Sequence, residues 1–423
     1  MTLRKTLLFS LLSLFLPALA VAADAAPSTI SAGDTAWLLS SAGLVLLMTP
    51  GLAFFYGGLV RKKNILSILM QCFMAMCLVT IQWYLFGYSL AFGPDIGHVI
   101  GNLDWSFLRH VGMDANTDYA ATVPHLAFMA FQLKFAIITP ALIIGAFAER
   151  MKFSAFCVFT FLWATLIYSP VAHWVWGIGG FLRDMGAMDF AGGAVVHINA
   201  GMAALAAALI LGKRVGKSSL PHNLPLAILG AGMLWFGWFG FNAGSALAAN
   251  GTAALAFVNT HMASAVAGFT WSVLDWFYHK KPTTLGMITG AVAGLVAITP
   301  AAGFVTPTGA FMIGLFSAAI CFVSVTFVKA KFGYDDSLDA FGVHGIGGIW
   351  GSIATGIFAT SGAADQVWIQ LKATAIVMVF SFVASYLLLK AVDLVLGLRV
   401  TELEERVGLD LVSHKETAYT LLD

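Results

Sequence analysis

Two stretches of the sequence decide how the chain is expected to fold: DFAGGAVVHINAG (residues 189–201) and DAFGVHGIGGIWG (residues 339–351). Each has an Asp, a Phe, glycines and a Val-His pair at the start of an apolar run. The second copy lies five apolar runs after the first, so the two would enter a bilayer from opposite faces. That pattern is typical of an inverted-topology repeat, whose corresponding segments meet near the midplane. We therefore expect His197 and His344 to lie close together.

The composition of the chain is that of a membrane protein. Of its 423 residues, 59% are hydrophobic and only 10% are charged, and the mean hydropathy is +0.87. A soluble domain usually carries about 25% charged residues. Because hydrocarbon offers no water to polar groups, so few charges spread over many apolar runs predict many transmembrane helices. The net charge of +1 and the lack of a basic block give no sign of nucleic-acid binding.

Eleven apolar runs are long enough, at about 20 residues, to cross a bilayer. They cover residues 35–60, 65–93, 123–148, 153–180, 194–212, 224–246, 252–278, 284–303, 309–330, 339–359 and 367–396. The sequence thus predicts an all-α integral membrane protein with eleven transmembrane helices. We expect one membrane domain over residues 23–397 and a cytoplasmic C-terminal tail over residues 398–423.

The first 22 residues predict a cleaved signal peptide. Arg4 and Lys5 precede an apolar stretch, and Ala20-Val21-Ala22 supplies a small-residue cleavage site. The mature N-terminus would then be periplasmic. Most Lys and Arg residues fall in the loops that this orientation places inside, which agrees with the positive-inside rule and an odd number of helices. We expect a multi-pass protein of the inner (plasma) membrane with a cytoplasmic C-terminus.

The two histidines are the clearest candidates for function, because ionisable residues in transmembrane segments usually face a cavity or pathway. A single neutral histidine bonded to a backbone carbonyl would be unremarkable, but two at related positions favour a role. They could be the axial ligands of a haem. They could instead be two hydrogen-bonded neutral imidazoles along a narrow path. A metal ion is disfavoured, since such sites usually need three or four ligands. The residues alone leave the haem and the path open.

Aromatic side chains near the histidine segments form a second set of candidates. FMAFQLKF places Phe131 and Phe135 at i, i+4 on one helix face. LWFGWFGFNAGSA places Trp238 and Phe241 at i, i+3, with Ser245 one turn further. Such residues most often pack helices together, but aromatic faces beside a hydroxyl also bind a small cation without a carboxylate.

Two further residues complete the candidates from the sequence. Trp176 lies near the outer end of the fourth predicted helix. Asp189 precedes a helix start, where an N-cap is a sufficient explanation for it. An additional effect of its charge on a nearby cation site remains open at this point.

These motifs resemble ammonium transporters of the Amt/MEP/Rh family. TPGLAFFYGGLVRKKN (49–64), GAFAERMKFS (145–154), GWFGFNAGSA (237–246), AFVNTHMA (256–263) and the two histidine segments occur in the family's order. The resemblance implies two inverted five-helix halves plus a final helix, and a homotrimer with one pore in each subunit. It also implies a transporter with no cofactor rather than an enzyme.

The resemblance further implies a role for each candidate. The implied roles are an outer ammonium site of Phe131, Trp176 and Ser245, a gate of Phe135 and Phe241, pore histidines His197 and His344 for proton relay, a pore wall at Trp238, and a structural and electrostatic role for Asp189. Ammonium would be deprotonated, cross as ammonia and be reprotonated inside, with net electrogenic uptake. An electroneutral ammonia channel is the alternative.

Other functions and partners follow from the same comparison. The tail resembles the region through which bacterial members dock a PII-type signalling protein, so an ammonium sensor acting through such a partner is a second candidate. Methylammonium is the expected substrate analogue. A haem protein would be coloured, and a urea or water channel would leave the aromatic cation site without a purpose. Lys134 adjoins Phe135 but lies about 100° away around the helix, so we expect it not to line the pore.

Overall fold

The computed structural model describes residues 30–216 and 220–419. The predicted signal peptide, residues 1–22, lies outside the described residues. Each of the eleven predicted segments lies on a helix, and we number these helices α1 to α11. Their bounds are α1 Ala32–Leu59, α2 Ile65–Phe92, α3 His125–Phe147, α4 Phe153–Trp163 continued through Ala164–Tyr168 into Ser169–Trp176, α5 Gly193–Leu211, α6 Leu224–Gly244, α7 Gly251–His279, α8 Thr284–Ile298, α9 Pro307–Phe332, α10 Phe341–Phe358 and α11 Gln366–Leu396.

The helical membrane fold expected from the sequence is confirmed. In the described part of the chain, nine of these helices are long and apolar enough to cross a membrane. Of the other two, α8 has only 15 residues, and α7 has 29 residues but is more polar. Eleven membrane crossings therefore remain a prediction.

Side-chain caps fix where several of these helices begin. The Ser31 side chain accepts a hydrogen bond from the Asp34 amide and so starts α1 three residues before the predicted position. Asn250 and Thr283 cap α7 and α8 in the same way. Such caps satisfy backbone N–H groups that have no partner inside the helix. Polar residues at the ends of apolar runs thus mark the helix starts.

Within residues 30–216 and 220–419, five helices contain a π-helical turn, which the sequence did not reveal. The turns are Trp83–Gly87 in α2, Ala164–Tyr168 in α4, Gly193–Ile198 in α5, Ser324–Val328 in α9 and Phe341–Gly345 in α10. Each turn adds a residue to the helix and shifts the side chains that follow it. The turns in α4 and α5 recur five helices later in α9 and α10, as an internal repeat predicts.

Short strands lie in the long connection between α2 and α3. Strand β1 (Asp95–Ile96) pairs antiparallel with β2 (Ile100–Gly101), and β3 (Ala115–Asn116) pairs antiparallel with β4 (Ala120–Pro124). A helical turn at Phe181–Asp184 precedes α5. This irregular layer covers the end of the bundle at which α5 begins.

Helices α5 and α10 cross at two glycines in the centre of the molecule. A Cβ on Gly201 would lie 2.3 Å from both the Cα and the N of Gly345, so only glycine fits. Small residues of this kind let two membrane helices approach closely. The crossing lies one turn from His197 and directly beside His344, and it holds the two helix starts together.

The tail packs against the loops at the other end of the bundle. It forms α12 (Glu402–Val407) and α13 (Leu409–His414). The Asp410 carboxylate accepts a hydrogen bond from the Ser67 amide, and the Leu409 amide donates to the Asn64 side chain. These contacts tie the tail to the start of α2.

A network of ion pairs joins the loops beneath the tail. Glu149, which is buried, accepts hydrogen bonds from Arg61, Asn64 and Arg214. Burial raises the pKa of the Glu149 carboxyl, but the hydrogen bonds and charge of Arg61 outweigh it and the net shift is downward. Glu149 is therefore held ionised as the centre of the network.

Candidate functional site

The two histidines meet in the interior of the bundle. His197 and His344 lie in the π-helical turns that begin α5 and α10, and both are buried. Their rings are stacked, with centroids 5.4 Å apart and planes at 17°. Among the described residues, neither ring nitrogen of His197 has a hydrogen-bond partner, and neither does Nδ1 of His344. The two imidazole planes are therefore nearly parallel, and the rings do not hydrogen-bond to each other.

The closeness of the two rings decides between the haem and the path that the sequence left open, but the hydrogen bond expected between the two imidazoles is absent among the described residues. Two axial haem ligands must point a nitrogen at one iron from opposite sides of a macrocycle. The ring centroids lie only 5.4 Å apart, which leaves no space for a macrocycle between the two rings. The arrangement fits a narrow path and not a haem site.

A small cavity of about 10 Å³ lies against the histidine pair. That volume is about what one water-sized molecule needs. We call this cavity the bore. It is lined by Met48, Leu52, Phe55, Ile138, Leu142, Val196, His197, Leu234, Trp238, Phe241, Val292 and His344. Apart from the two imidazoles and the indole of Trp238, the wall is apolar.

Trp238 forms one side of the bore, where the sequence placed it. Its indole stacks on His197, with centroids 5.4 Å apart, and its Nε1 donates a hydrogen bond to Oγ1 of Thr299 at 2.9 Å. The indole N–H is therefore satisfied inside the wall, and only the flat ring faces the histidine.

Two phenylalanine rings close one end of the bore. Phe135 on α3 and Phe241 on α6 lie with centroids 4.3 Å apart and planes at 40°. Phe241 lines the bore, and Phe135 lines a larger cavity beyond it. Both rings are buried. The pair therefore separates the bore from that larger cavity.

The larger cavity, which we call the Ser245 vestibule, has a volume of about 200 Å³. It is lined by Phe92, Asp118, Tyr119, Phe128, Gln132, Phe135, Trp176, Arg183, Phe190, Ser245 and Leu247. Nε1 of Trp176 donates to the Asp189 carbonyl, and Oγ of Ser245 donates to the Phe241 carbonyl. The ring face of Trp176 and the lone pairs of Ser245 therefore remain for a ligand.

Phe131 lies elsewhere than the sequence suggested. It is fully buried, its ring packs 4.9 Å from that of Phe135, and it is not among the residues that line the Ser245 vestibule. The face of α3 toward the vestibule instead carries Phe128, Gln132 and Phe135. Sequence reasoning missed Gln132, although its i, i+3 spacing from Phe135 could have indicated it.

A second vestibule lies at the other end of the bore. This cavity of about 430 Å³, the Asp339 vestibule, reaches His344 and is also lined by Tyr56, Asp275, Lys329 and Asp339. Helix α5 begins beside the Ser245 vestibule, and α10 begins beside the Asp339 vestibule. The histidines thus belong to helices that enter from opposite ends, as the inverted repeat predicts.

The Asp189 side chain is hydrogen-bonded to the backbone at the start of α5. Its Oδ1 accepts from the amides of Gly192 and Gly193, and its Oδ2 accepts from those of Ala194 and Val195. It is not among the residues that line the bore or the Ser245 vestibule. Its direct contacts are therefore those of a helix cap.

The structural counterpart of Asp189 is Asp336, and the match to Asp339 made from the sequence is wrong. Each true counterpart lies eight residues before its histidine. Asp336 accepts hydrogen bonds from the amides at positions 340 and 341, which begin α10. The Asp339 carboxylate instead pairs with Nζ of Lys329 at 2.7 Å. The sequence match was drawn to Asp339 because a Phe follows it closely, as Phe190 follows Asp189.

Comparison with known proteins identifies the arrangement. The model of the Ammonium Transporter Family matches residues 36–419. The chain belongs to the ammonium transporter family. An ammonium transporter of Bacillus subtilis (strain 168) is 54% identical over 400 residues, which cover 92% of this chain and 98% of that protein. Ammonium transporter Amt1 of Archaeoglobus fulgidus is 47% identical over 92% of this chain and its own full length.

Solved structures of family members share the fold. Candida albicans Mep2 superposes with a TM-score of 0.85 at 36% identity, covering 93% of this chain and 94% of that one. A structure described as a sensor Amt protein has a TM-score of 0.85 at 31% identity, covering 90% and 98%. The chain is therefore a multi-pass integral membrane protein of a family of ammonium transporters, and its relatives are transporters rather than enzymes.

Lys134 lies beside this path but not in it. In the described part of the chain, it is not among the residues that line the bore or either vestibule. Phe135, the next residue on α3, lines the Ser245 vestibule. The expectation that the Lys134 amine points away from the path agrees with this placement.

Proposed function

We propose that this member of the ammonium transporter family recruits ammonium in the Ser245 vestibule and conducts it as ammonia through the bore. The observation that carries the proposal is the bore itself: about 10 Å³, apolar, closed by two phenylalanines and lined by stacked histidines. A molecule the size of ammonia fits such a space without a shell of water.

Recruitment depends on aromatic ring faces and a hydroxyl oxygen, in a vestibule whose wall also carries the opposite charges of Asp118 and Arg183. The ring faces of Trp176 and Phe135 contribute cation–π contacts worth about 0.5–2 kcal/mol. Oγ of Ser245 adds an acceptor, because its own proton is donated to the Phe241 carbonyl. Phe131 acts from behind by holding the ring of Phe135 in place.

Selection against potassium follows from chemistry in the bore. Moving an ion into an apolar space costs several kcal/mol or more, even after the protein relaxes. Potassium cannot shed its charge, whereas ammonium can release a proton and continue as ammonia. The Phe135 and Phe241 rings enforce this step because they exclude the water that would accompany an ion.

The proton follows the histidine pair. Histidine takes up and releases protons near neutral pH. Both ring nitrogens of His197 and Nδ1 of His344 have no hydrogen-bond partner among the described residues, so they are the groups that would bond to a molecule in the bore. The proton is relayed along them and returns to ammonia in the Asp339 vestibule, so net charge crosses. Trp238 keeps His197 in position, and Asp189 keeps the start of α5 in position and adds its field.

The surroundings of the protein are part of the same proposal. The chain acts as a homotrimer in the inner membrane, with the Ser245 vestibule periplasmic and the tail cytoplasmic, after removal of residues 1–22. The concentration of Lys and Arg at the end near the Asp339 vestibule supports this orientation. A PII-type signalling protein docks on that cytoplasmic face, where the described part of the tail (residues 398–419) packs against the loops.

Two alternatives have specific support. An electroneutral ammonia channel is favoured by the absence of a carboxylate among the residues that line the bore in the described part of the chain. Sensing of ammonium through a PII partner is favoured by the likeness to a structure described as a sensor Amt protein.

The test is the current produced when an ammonium pulse meets proteoliposomes that contain the purified protein. A potassium pulse of equal ionic strength is the control, and a pH dye inside the vesicles reports ammonia entry. We expect a saturable current with ammonium and none with potassium. A pH change without a current would show an electroneutral gas channel in place of the proton relay. The absence of both the current and the pH change would refute transport.

A further inference from the structure

The Asp339 vestibule contains an ion pair between Lys329 and Asp339. Both residues are among those that line this cavity of about 430 Å³, which also reaches His344. Nζ of Lys329 lies 2.7 Å from Oδ1 of Asp339. The two side chains are 25% and 27% exposed, so the pair is open to water. One carboxylate of this vestibule therefore already holds a cation.

Two other carboxylates that line this vestibule are held by different kinds of group. Asp335 accepts hydrogen bonds from the guanidinium of Arg214, and Asp275 accepts one from the Thr283 hydroxyl. Asp339 differs because its side-chain partner among the described residues is a lysine amine. A lysine side chain ends in an NH₃⁺ group, which is ammonium with one hydrogen replaced by carbon. The group bound at Asp339 thus resembles the ion that would leave through this cavity.

The backbone of Asp339 has an unusual conformation. Its φ is 59°, in the left-handed region. Asp is among the few residues other than glycine that adopt this region, and it does so at some energetic cost. Such conformations cluster at functional sites, where the surrounding structure maintains them. A role for the carboxylate inside the vestibule would explain why this one is kept.

An unpaired carboxylate at this end of the path would hinder release. Ammonium formed by reprotonation would make charge-assisted hydrogen bonds to it, which are among the stronger ones in proteins. The Lys329 amine competes with that binding. Because it is attached to α9 beside the same carboxylate, its effective concentration there is about millimolar or higher. Ammonium must displace a tethered competitor before it can bind at Asp339.

We propose that the Asp339 carboxylate is an inner cation site occupied by the amine of Lys329, and that this occupant lowers the affinity of the inner end of the path for ammonium. This inference rests on the proposed exit of ammonium through the Asp339 vestibule. The two ends of the path are then unequal: the Ser245 vestibule binds ammonium, and the Asp339 vestibule releases it.

The experiment measures KM for ammonium separately from each end of the path. Proteoliposomes with an affinity tag after residue 423 are sorted into those that expose the tail and those that enclose it. Initial rates from the current and from the internal pH dye give KM. Lys329→Met removes the amine and keeps a similar length. Lys331→Met is the matched control, because Lys331 lies on the last turn of the same helix but lines neither vestibule nor the bore in the described part of the chain.

The expected result is a change confined to one end. Lys329→Met should lower KM from the tail side about 2- to 5-fold, the range of a partly exposed ion pair. KM from the other side should stay within about twofold, and Lys331→Met should change neither value. The double variant Lys329→Met/Asp339→Asn lacks the carboxylate as well, so its KM from the tail side should return to about the wild-type value. Disruption of the structure by Lys329→Met would not be repaired by a second substitution.

Two further measurements strengthen the comparison. In about 0.5 M choline chloride, the field of a distant charge is screened over a few ångströms, whereas a direct contact persists. We therefore expect the fall in KM to persist in that salt. Lys329→Gln covers the case in which Lys329→Met does not fold. Its amide can still donate to Asp339 but carries no charge, so it should also lower KM from the tail side.

The inference is overturned if neither Lys329→Met nor Lys329→Gln lowers KM from the tail side, or if Lys331→Met lowers it equally. It is also overturned if KM shifts equally from both ends, if the double variant keeps the lowered KM, or if high salt abolishes the effect. These results are distinct from a failure of the proposed function, in which the wild-type protein would give neither a current nor a pH change from either end.

Discussion

The substitution Asp189→Asn tests whether this carboxylate acts as the cap that begins α5. Each carboxylate oxygen accepts two backbone N–H groups. An asparagine keeps one oxygen and replaces the other by an NH₂ group, which cannot accept. Two buried N–H groups then lose their acceptor, at about 1–3 kcal/mol each, or about 2–6 kcal/mol in total. We therefore expect a large loss of stability.

Asp336, the structural counterpart of Asp189, provides a second variant with which the loss of stability can be compared. Asp336 holds one backbone N–H with each oxygen, at 3.1 Å and 2.7 Å. Asp336→Asn strands one of them and should cost about 1–3 kcal/mol. The thermal unfolding midpoint of the detergent-purified protein, followed by tryptophan fluorescence and size exclusion, should fall in the order wild type, Asp336→Asn, Asp189→Asn.

The opposite order would show that the count of backbone bonds does not set the stability of these helix starts. A wild-type midpoint for Asp189→Asn, together with weaker ammonium binding, would refute the cap and leave only an electrostatic role.

The remaining predictions concern packing and charge. Gly201→Ala must push the backbone of Gly345 away, so it should lower stability by about 1–3 kcal/mol through overpacking and reduce ammonium flux. The control Gly232→Ala has open space around its Cβ and should leave the unfolding midpoint and the flux unchanged. Equal behaviour of the two variants would contradict the close crossing. Glu149→Gln should lower stability by about 3 kcal/mol, because a buried charge network loses its centre; an unchanged thermal midpoint would contradict that network. Burial and a neighbouring carboxylate raise the pKa of Asp336 to about 6. Its contribution to stability should therefore be lost as pH rises from about 4 to about 6. Identical dependence of the unfolding midpoint on pH in the wild type and in Asp336→Asn would contradict this.

The sequence was sufficient for the helices because hydrocarbon imposes a simple rule of length and apolarity. The predicted segment 367–396 and the observed helix Gln366–Leu396 differ by one residue. Helix α1 differs by three residues at its start, because Ser31 acts as a cap outside the apolar run. Caps of this kind are visible in the sequence, but their use depends on the loop that presents them.

The direction in which side chains point could not be predicted with the same accuracy. A helix buried on all sides is apolar all round, so periodicity does not reveal which face lines a cavity. This is why Phe131 was preferred to Gln132 on α3. The π-helical turns added a second difficulty, since a one-residue insertion shifts every later side chain. The eight-residue spacing from Asp336 to His344 is present in the sequence, but only the hydrogen bonds of Asp336 to the start of α10 identify it as the cap.

The central claim is that ammonium crosses the bore without its charge and that the histidine pair carries the proton. The most direct test compares ammonium and potassium currents in proteoliposomes that contain wild-type protein or the His197→Ala or His344→Ala variant. The account predicts an ammonium-specific current in the wild type that is lost, or is joined by a potassium current, in either variant. An ammonium current of wild-type size with no potassium current in both variants would contradict it.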